Sequence, residues 1–284
     1  MERTAAVLTS RVHVEERLIF AAFARRGLDC VQVDPRRLPL WLGASAPDWS
    51  AVLNREISHT RASYAALTLE AMGSTVVNSA ASTELCGDKW RTSLALFAAG
   101  VPTPRTALAL TPEAALVTLD EMGYPAVIKP LVGSWGRLVT LVPDRQTAAT
   151  VLEYVAALPS PRSHVVYAQR FVRKADRDLR VIVVGGEVLG ATYRRGDGWR
   201  TNVKRGAASE PCAVTPELAE LAAAAAGCVG VDIAGVDLVE CPNEGLLVLE
   251  VNHRVEFASF QAAQGERVDV ADRMVDHLLL RAGS

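Results

Sequence analysis

Two apolar segments near the carboxyl terminus, residues 235–240 and 246–252, most constrain the fold of this chain. Each has the length and composition of a buried strand. The Pro-Asn-Glu-Gly segment between them has the composition of a tight turn. We therefore predict that the two segments pair as an antiparallel hairpin.

The predicted hairpin carries its polar residues at one end. Alternation along an extended strand places Glu250 and Asn252 on one face, and pairing brings Asp237 near Glu250 to within one residue of register. Two carboxylates and an amide oxygen are hard ligands that suit Mg²⁺, which usually accompanies a substrate phosphate. The alternative interpretation is that Asp237 and Glu250 are solvated residues at strand ends, and the hairpin alone leaves both interpretations open.

The length and composition of the chain set further bounds. A chain of 284 residues, half of them hydrophobic, predicts a well-packed globular protein with two or three lobes. The formal net charge of −2 gives no reason to expect nucleic-acid binding. The five cysteines show no CxxC or Cys/His ligand spacing, which is typical of free thiols in a reducing compartment. With no signal peptide and no membrane-spanning segment in the pattern, we expect a cytoplasmic protein with no membrane partner.

Residues 1–85 are predicted to form an α/β lobe. Short apolar strands alternate with segments whose apolar residues recur at helical spacing, which is the pattern of a parallel sheet. Ligands bind at the carboxyl ends of such strands, where Arg55 follows the third strand. Arg55 is therefore a candidate to bind an anionic substrate, with a solvated arginine as the alternative. The absence of a GxGxxG motif argues against a dinucleotide site.

Residues 86–163 form the second predicted lobe. Lys129 ends a short apolar strand, and a buried ammonium requires a partner, either a bound anion or a nearby carboxylate. The following Gly-Ser-Trp-Gly-Arg segment, residues 133–137, has the composition of a loop whose backbone N–H groups surround phosphates. It is not a Walker loop, because no GK[ST] follows, and surface hairpins share its composition.

Residues 164–284 form the third predicted lobe, which includes the hairpin. Four of its cations lie at strand ends or in the loop between them, at Arg180, Arg194, Lys204 and Arg205. A nucleic-acid site requires a wider basic face with exposed aromatic residues. A few cations around one anion fit a nucleotide or an acyl phosphate better.

The motifs occur in a fixed order along nearly the whole chain. They are Cys-Gly-Asp-Lys at residues 86–89, Ala-Gly-Val-Pro-Thr-Pro at 99–104, Gly-Ser-Trp-Gly-Arg-Leu at 133–138, Glu-Val-Asn-His at 250–253 and Glu-Phe at 256–257. In this order the chain resembles the ATP-grasp carboxylate–amine ligases, and within them the LysX and ArgX ligases, which are related to RimK. The resemblance implies an ATP-grasp fold, in which the parallel α/β lobe is followed by two α+β lobes that clamp ATP.

The resemblance also implies roles for individual residues. The implied ATP-binding residues are Lys89, Lys129, Gly133, Ser134, Trp135, Gly136, Arg137, Gln169, Arg170, Phe171, Val172 and Asp178. The implied Mg²⁺ ligands are Asp237, Glu250 and Asn252, in agreement with the hairpin. The catalytic candidates are Arg180, Arg194 and Asn202, and the candidates for substrate binding are Arg55, Arg205, His253, Glu256 and Phe257.

The reaction implied by the resemblance uses ATP and Mg²⁺. The side-chain carboxylate of a carrier protein's terminal glutamate is phosphorylated, and the amino group of an amino acid then attacks the acyl phosphate to form an amide. The implied partners are a small acidic carrier protein like LysW and an amino acid, and relatives commonly assemble as homodimers or homotetramers.

Two positions depart from the family pattern. Arg170 lies in residues 169–172, which match the family's hinge beside the adenine, at a position where that hinge commonly has an acidic residue. Ala258-Ser259 replace the Lys-Asn pair that follows Glu-Phe in the family pattern. The second departure leaves the acceptor amino acid and its pathway open. One alternative is a RimK-like enzyme that adds glutamate to a protein or cofactor. Another is a nucleotide-binding regulator without turnover, which the presence of the three candidate metal ligands and both lysines argues against.

Overall fold

The computed structural model describes residues 4–45, 47–133, 136–196, 199 and 208–283. The strands are β1 (Thr4–Leu8), β2 (Cys30–Val33), β3 (Trp49–Asn54), β4 (Val76–Val77), β5 (Thr106–Ala109), β6 (Ala126–Lys129), β7 (Thr140–Val142), β8 (Val166–Arg170), β9 (Arg177–Val184), β10 (Glu187–Arg195), β11 (Ala208–Cys212), β12 (Ile233–Cys241) and β13 (Gly245–Asn252). The helices are α1 (Val14–Arg25), α2 (His59–Ala71), α3 (Ala80–Gly87), α4 (Lys89–Ala98), α5 (Pro112–Met122), α6 (Arg145–Ala156), α7 (Pro216–Cys228), α8 (Ala258–Gln264) and α9 (Val270–Ala282), with short 3₁₀ helices at Pro161–His164 and Gly265–Arg267.

The amino-terminal sheet is parallel, as the alternating pattern predicted, with strand order β2-β1-β3-β4. Helix α1 begins with a capping box, in which the Glu16 carboxylate accepts the N–H of His13 at 3.0 Å. The hydroxyl of Ser58 caps α2. Helix α1 begins a short loop after the carboxyl end of β1, and α2 begins a short loop after that of β3. Because β1 and β3 are parallel, these two loops lie at the same edge of the sheet.

The central sheet is antiparallel, with strand order β5-β8-β6-β7, and α5 and α6 pack against it. Helix α4 precedes this sheet. The Asp88 carboxylate accepts the N–H groups of Trp90 at 2.9 Å and Arg91 at 3.1 Å, so the cap fixes Lys89 as the first residue of the helix.

The carboxyl-terminal sheet has the order β11-β10-β9-β12-β13 and is also antiparallel. The predicted hairpin is confirmed as β12 and β13, and Asp237 pairs directly with Glu250. Because Leu238 pairs with Val248, Leu249 is an extra residue on β13, a β-bulge. The bulge fixes the register that the sequence pattern left uncertain by one residue.

The amino-terminal and carboxyl-terminal sheets share one hydrophobic core. Residues of α1 and β3, among them Phe23 and Leu53, pack in one buried cluster with Ile182 of β9 and Met274 of α9. Apolar burial of this kind is the main favourable contribution to folding, so it holds the two sheets together.

No helix in the described ranges has both the length and the apolarity needed to cross a membrane. The five cysteines are free thiols, as their spacing predicted.

Candidate active site

Two adjoining cavities lie where the three sheets meet. The first lies between the central and carboxyl-terminal sheets, and it is lined by Lys89, Lys129, Gly133, Gly136, Arg137, Gln169, Arg170, Phe171, Val172, Asp178, Arg194, Asp237 and Glu250 among the predicted residues. The second, of about 560 Å³, lies between the carboxyl-terminal sheet and the loops that follow β1 and β3. This volume is typical of small-molecule sites. Gly133, Arg194 and Glu250 line both cavities and so mark their junction.

Lys129 projects into the first cavity from the end of β6. Its Nζ donates to Oε1 of Gln169 at 2.6 Å, and the Gln169 amide nitrogen donates to the hydroxyls of Tyr167 and Thr106, both at 3.0 Å. The direct partner of the ammonium is thus a neutral amide, and the carboxylates of Glu250 and Asp237 also interact with it electrostatically. Burial lowers the pKa of Lys129 to about 8. The charge is oriented but not neutralised by this contact, which suits it to an anionic ligand.

Lys89 lies against the glycine-rich segment. Its Nζ donates to the carbonyl of Gly133 at 2.8 Å, and its backbone N–H donates to the carbonyl of Leu131 at 2.9 Å. Both predicted lysines therefore line the first cavity. Ser134 and Trp135 lie outside the described residues, and their assignments stay predictions.

The hinge, residues 169–172, forms one wall of the first cavity. Arg170 forms an ion pair with Glu244 in the turn between β12 and β13, with Nη2 2.5 Å from Oε1. The Phe171 ring meets Trp199 edge to face, with centroids 6.0 Å apart. Arg170, where the family pattern commonly has an acidic residue, is thus paired with a carboxylate from the turn of the hairpin.

The carboxylates of Asp237 and Glu250 face each other across the hairpin, and Asn252 lies beside them. Asn252 Nδ2 donates to Oε1 of Glu250 at 3.2 Å and to the carbonyl of Gly235 at 3.3 Å. Like charges directly opposite each other on paired strands repel, so a nearby cation stabilises the pair. Two carboxylates and an amide supply the hard oxygen donors that a divalent metal ion prefers, with the Asn252 amide turned to present its oxygen, because here its nitrogen faces both carboxylates.

Two arginines neutralise Asp237, which is buried. Arg180 binds both carboxylate oxygens through Nε and Nη2, the latter at 2.9 Å, and Arg194 Nη2 lies 3.2 Å from Oδ2. Burial raises the pKa of Asp237, but the guanidinium groups of Arg180 and Arg194 outweigh it, so the pKa lies below its ordinary value. Gly235 makes room for this pair, because a Cβ there would lie 2.9 Å from Nη1 of Arg180.

Arg194 also pairs with Asp178, with Nε 2.6 Å from Oδ1. Burial lowers the pKa of Arg194, and the carboxylates of Asp237 and Asp178 more than reverse this effect. The predicted residues Arg180, Arg194, Asp178 and Asp237 therefore form one connected ion-pair network at the junction of the cavities.

The second cavity contains predicted residues and others that the sequence analysis missed. Asn252, His253 and Glu256 line it, as do Ala258 and Ser259 at the departure from the family pattern. Burial lowers the pKa of His253 to about 3, so its imidazole is neutral near pH 7.

Several missed lining residues lie just beyond the carboxyl ends of β1 and β3. Among them are His13 before α1, Glu15 in the first turn of α1 and His59 at the start of α2, and Arg254 joins them from the segment after β13. The rule that ligands bind at the carboxyl ends of parallel strands points to these two loops. The rule predicts the correct edge of the sheet. It does not predict which residues of that edge face the cavity, and Arg55, the candidate from this edge, does not.

Arg55 and Phe257 line neither cavity. Arg55 is 1 % exposed, and it donates to Glu16 Oε1 and to the carbonyl of Val255, both at 3.0 Å. Phe257 is fully buried in the core shared by the two sheets. Their positions indicate support for the cavity wall rather than contact with a substrate. Asn202 and Arg205 lie outside the described residues, so their roles stay predictions.

Two family models together match most of this chain. Residues 5–85 match the LysX preATP-grasp domain, and residues 86–278 match the RimK-like ATP-grasp domain. The glutamate–LysW ligase ArgX of Sulfolobus acidocaldarius is 30 % identical over 96 % of this chain and 97 % of its own length. The α-aminoadipate–LysW ligase LysX of the same organism is 36 % identical over 72 % of this chain and 75 % of its own length.

A solved structure shares the fold. The crystal structure of a RimK-domain ATP-grasp protein from Sphaerobacter thermophilus has a TM-score of 0.81 and 30 % identity, covering 97 % of this chain and 99 % of that protein. The expected ATP-grasp fold and its ligase chemistry are thereby confirmed. This chain belongs to the RimK-like ATP-grasp family of ATP-dependent carboxylate–amine ligases.

Proposed function

We propose that this ligase joins the amino group of an amino acid to the side-chain carboxylate of the terminal glutamate of a small acidic carrier protein like LysW. ATP phosphorylates the carboxylate, giving an acyl phosphate and ADP. The amine attacks the acyl carbon, the bond from that carbon to the phosphate oxygen breaks, and amide, phosphate and a proton are released. The names of the ArgX and LysX relatives support the carrier.

The observation that carries the proposal is the junction of the two cavities at Gly133, Arg194 and Glu250. A phosphoryl donor in the first cavity and a carboxylate in the second meet at this junction. Transfer between them requires that both reacting groups be held in one geometry, and the ion-pair network of Arg194 supplies rigid walls for it.

Phosphates are held by cations on separate elements. Lys89 at the start of α4, Lys129 at the end of β6 and Arg137 line the first cavity. The hinge residues 169–172 and Asp178 complete the proposed nucleotide site. Transfer of the γ-phosphoryl depends almost entirely on such positioning and on electrostatic stabilisation of its charge.

Asp237, Glu250 and Asn252 are the proposed ligands of Mg²⁺. When bound there, the metal would supply charge neutralisation for the phosphates. Arg180 binds the Asp237 carboxylate through two hydrogen bonds, so this one ligand is oriented by the protein itself.

The acceptor amino acid is assigned to the second cavity. His253, Glu256, Ala258 and Ser259 line its wall, and the amino-terminal domain supplies the opposite one through residues such as Glu15. Because Ala258-Ser259 lack the cation and amide of the family pattern, we propose an acceptor other than α-aminoadipate or glutamate. Gly133 lines the junction, and closure of its loop would separate the acyl phosphate from water.

Two further assignments follow from the resemblance. We propose a homodimer or homotetramer, which light scattering after size exclusion tests. The five free thiols support a reducing, cytoplasmic setting for the reaction.

The test combines phosphate release from ATP and Mg²⁺ with the intact mass of the carrier. Purified ligase is incubated with a small acidic carrier protein ending in glutamate and with a panel of amino acids that includes α-aminoadipate and glutamate. A carrier mass gain of one amino acid minus water identifies both the reaction and its acceptor.

Two controls make the result specific. A carrier without its terminal glutamate and the Glu250→Gln ligase should give neither product nor carrier-dependent phosphate release. A mass gain that survives removal of the terminal glutamate would refute the proposed donor, and a gain only with α-aminoadipate or glutamate would refute the proposed change of acceptor.

A further inference from the structure

The segment that follows Asn252 is tied to the amino-terminal domain residue by residue. The carbonyl of His253 accepts from Asn78 Nδ2 at 2.7 Å, Arg254 Nε donates to the carbonyl of Arg55 at 2.9 Å, and the carbonyl of Val255 accepts from Arg55 Nη1 at 3.0 Å. These three residues lie between Asn252 and Glu256, which line the second cavity. The amino-terminal domain therefore restrains the segment between Asn252, a proposed metal ligand, and Glu256, a proposed substrate-binding residue.

Asn78 makes the most specific of these contacts. It follows β4 and is 2 % exposed. Besides the bond to His253, its Nδ2 donates to the carbonyl of Ile233 and its Oδ1 accepts the N–H of Ile233, both at 2.8 Å. One side chain thus binds the first residue of β12 and the residue just after β13, at the open end of the hairpin.

Packing alone does not explain this arrangement. The shared hydrophobic core already holds the two domains together, but apolar contacts are not directional. Hydrogen bonds fix relative positions, and a buried amide is tolerated only where its polar atoms are satisfied. Asn78 meets this condition with backbone groups of both hairpin strands, so its bonds set the offset of one strand end against the other.

We propose that Asn78 is a positioning residue, through which the amino-terminal domain aligns Asn252 with Asp237 and Glu250 for metal binding. The last strand pair at this end is Gly235 with Asn252, directly beside the residues that Asn78 holds. The inference rests on the metal role proposed above for the hairpin.

The test measures binding without carrier or acceptor. Mn²⁺ binding is followed by EPR at saturating ADP, and ADP binding in EDTA is measured by calorimetry, for the wild type, Asn78→Ala and Glu250→Gln. Loss of a hydrogen bond made directly to a metal ligand typically lowers metal affinity about 10–100-fold. Asn78 acts through the backbone of His253, one residue from Asn252, so we expect a loss at the low end of this range, about tenfold, for Asn78→Ala. Metal-free ADP affinity should be unchanged.

The matched control is Asn54→Ala. Asn54 is also a buried asparagine of this domain, but its amide donates within the domain, to the carbonyl of Ala62 at 3.3 Å and to Thr83 Oγ1 at 3.4 Å. It should lower stability without changing Mn²⁺ affinity. If Asn78→Ala does not fold, Asn78→Asp takes its place, since it keeps the shape and the bond from Ile233 N–H but loses both donated bonds.

The outcomes separate this inference from the proposed function. Unchanged Mn²⁺ affinity in the Asn78 variant, a loss of ADP affinity in EDTA as large as its loss of Mn²⁺ affinity, or the same loss of Mn²⁺ affinity in Asn54→Ala would each show a purely structural role. Wild-type Mn²⁺ binding that is insensitive to Glu250→Gln would remove the metal role itself. Normal metal binding with no carrier product would refute the proposed ligase partners alone.

Discussion

Nucleotide binding should take up protons near the pKa of Lys129. Burial lowers this pKa to about 8 from an ordinary value of 10.5, so the free ligase loses the ammonium as pH rises through 8. Lowering the pKa this far corresponds to a free energy of about 3 kcal/mol, at about 1.36 kcal/mol per pKa unit. A phosphate charge at about 4 Å contributes about 4 kcal/mol at an effective dielectric constant of about 20, enough to restore the proton.

The size and sign of the proton uptake follow from the protonation of Lys129 in the free and the nucleotide-bound ligase. Well below pH 8 the free lysine already carries its proton, so binding takes up none. At a pH equal to the pKa, binding should take up about half a proton, and affinity should fall about tenfold for each further pH unit until the bound lysine titrates. Calorimetric titration of AMPPNP in buffers of different ionisation enthalpy measures the uptake directly.

Lys129→Arg is the matched variant. Its guanidinium keeps its charge at every pH of interest, so both the proton uptake and the loss of affinity above pH 8 should disappear. Protons exchanged by the nucleotide itself remain in the variant and are subtracted. If the wild type takes up no protons near pH 8, either the lowered pKa of Lys129 or its contact with the phosphates is wrong. If the arginine variant shows the same pH profile, Lys129 is not the group that takes up the proton.

Three further changes test other parts of the site. Asp237→Asn and Glu250→Gln should each lower kcat about a hundredfold or more while thermal unfolding stays cooperative, because transition-state charge stabilisation is lost. Arg170→Glu should weaken nucleotide binding by about 0.2–1 kcal/mol, the range for a partly exposed pair, and combining it with Glu244→Arg should restore the affinity measured by calorimetry. Arg55→Met should lower the free energy of unfolding by about 3 kcal/mol, because a buried carboxylate loses one of its partners, and urea titration measures the change.

Local patterns in the sequence predicted the elements that build the site. Apolar runs and turn composition predicted the hairpin, and alternating strands and helices predicted the parallel sheet. The register of the hairpin was left open by one residue, because the bulge at Leu249 adds an apolar residue to an apolar strand. Nothing in the composition of β13 distinguishes such an insertion from an ordinary strand position.

The sequence pattern could not predict contacts between residues that are far apart in the chain. Arg55 was taken as a binding candidate because it follows a strand end, but its partner Glu16 lies 39 residues earlier. The carboxylate opposite Arg170 lies 74 residues later in the chain. An exposed and a buried arginine look alike in sequence, since their difference depends on which carboxylate the fold brings to them.

The two cavities are lined by different parts of the chain, which has a consequence for directed evolution. The first cavity is lined by residues of the central and carboxyl-terminal sheets, whereas the second also takes lining residues from the amino-terminal domain. A library that varies His13, His59, Ala258 and Ser259 therefore explores new acceptors while the walls of the phosphate cavity stay constant. An exchange of the whole amino-terminal domain should serve the same end, provided that the donor domain brings an asparagine at the position of Asn78.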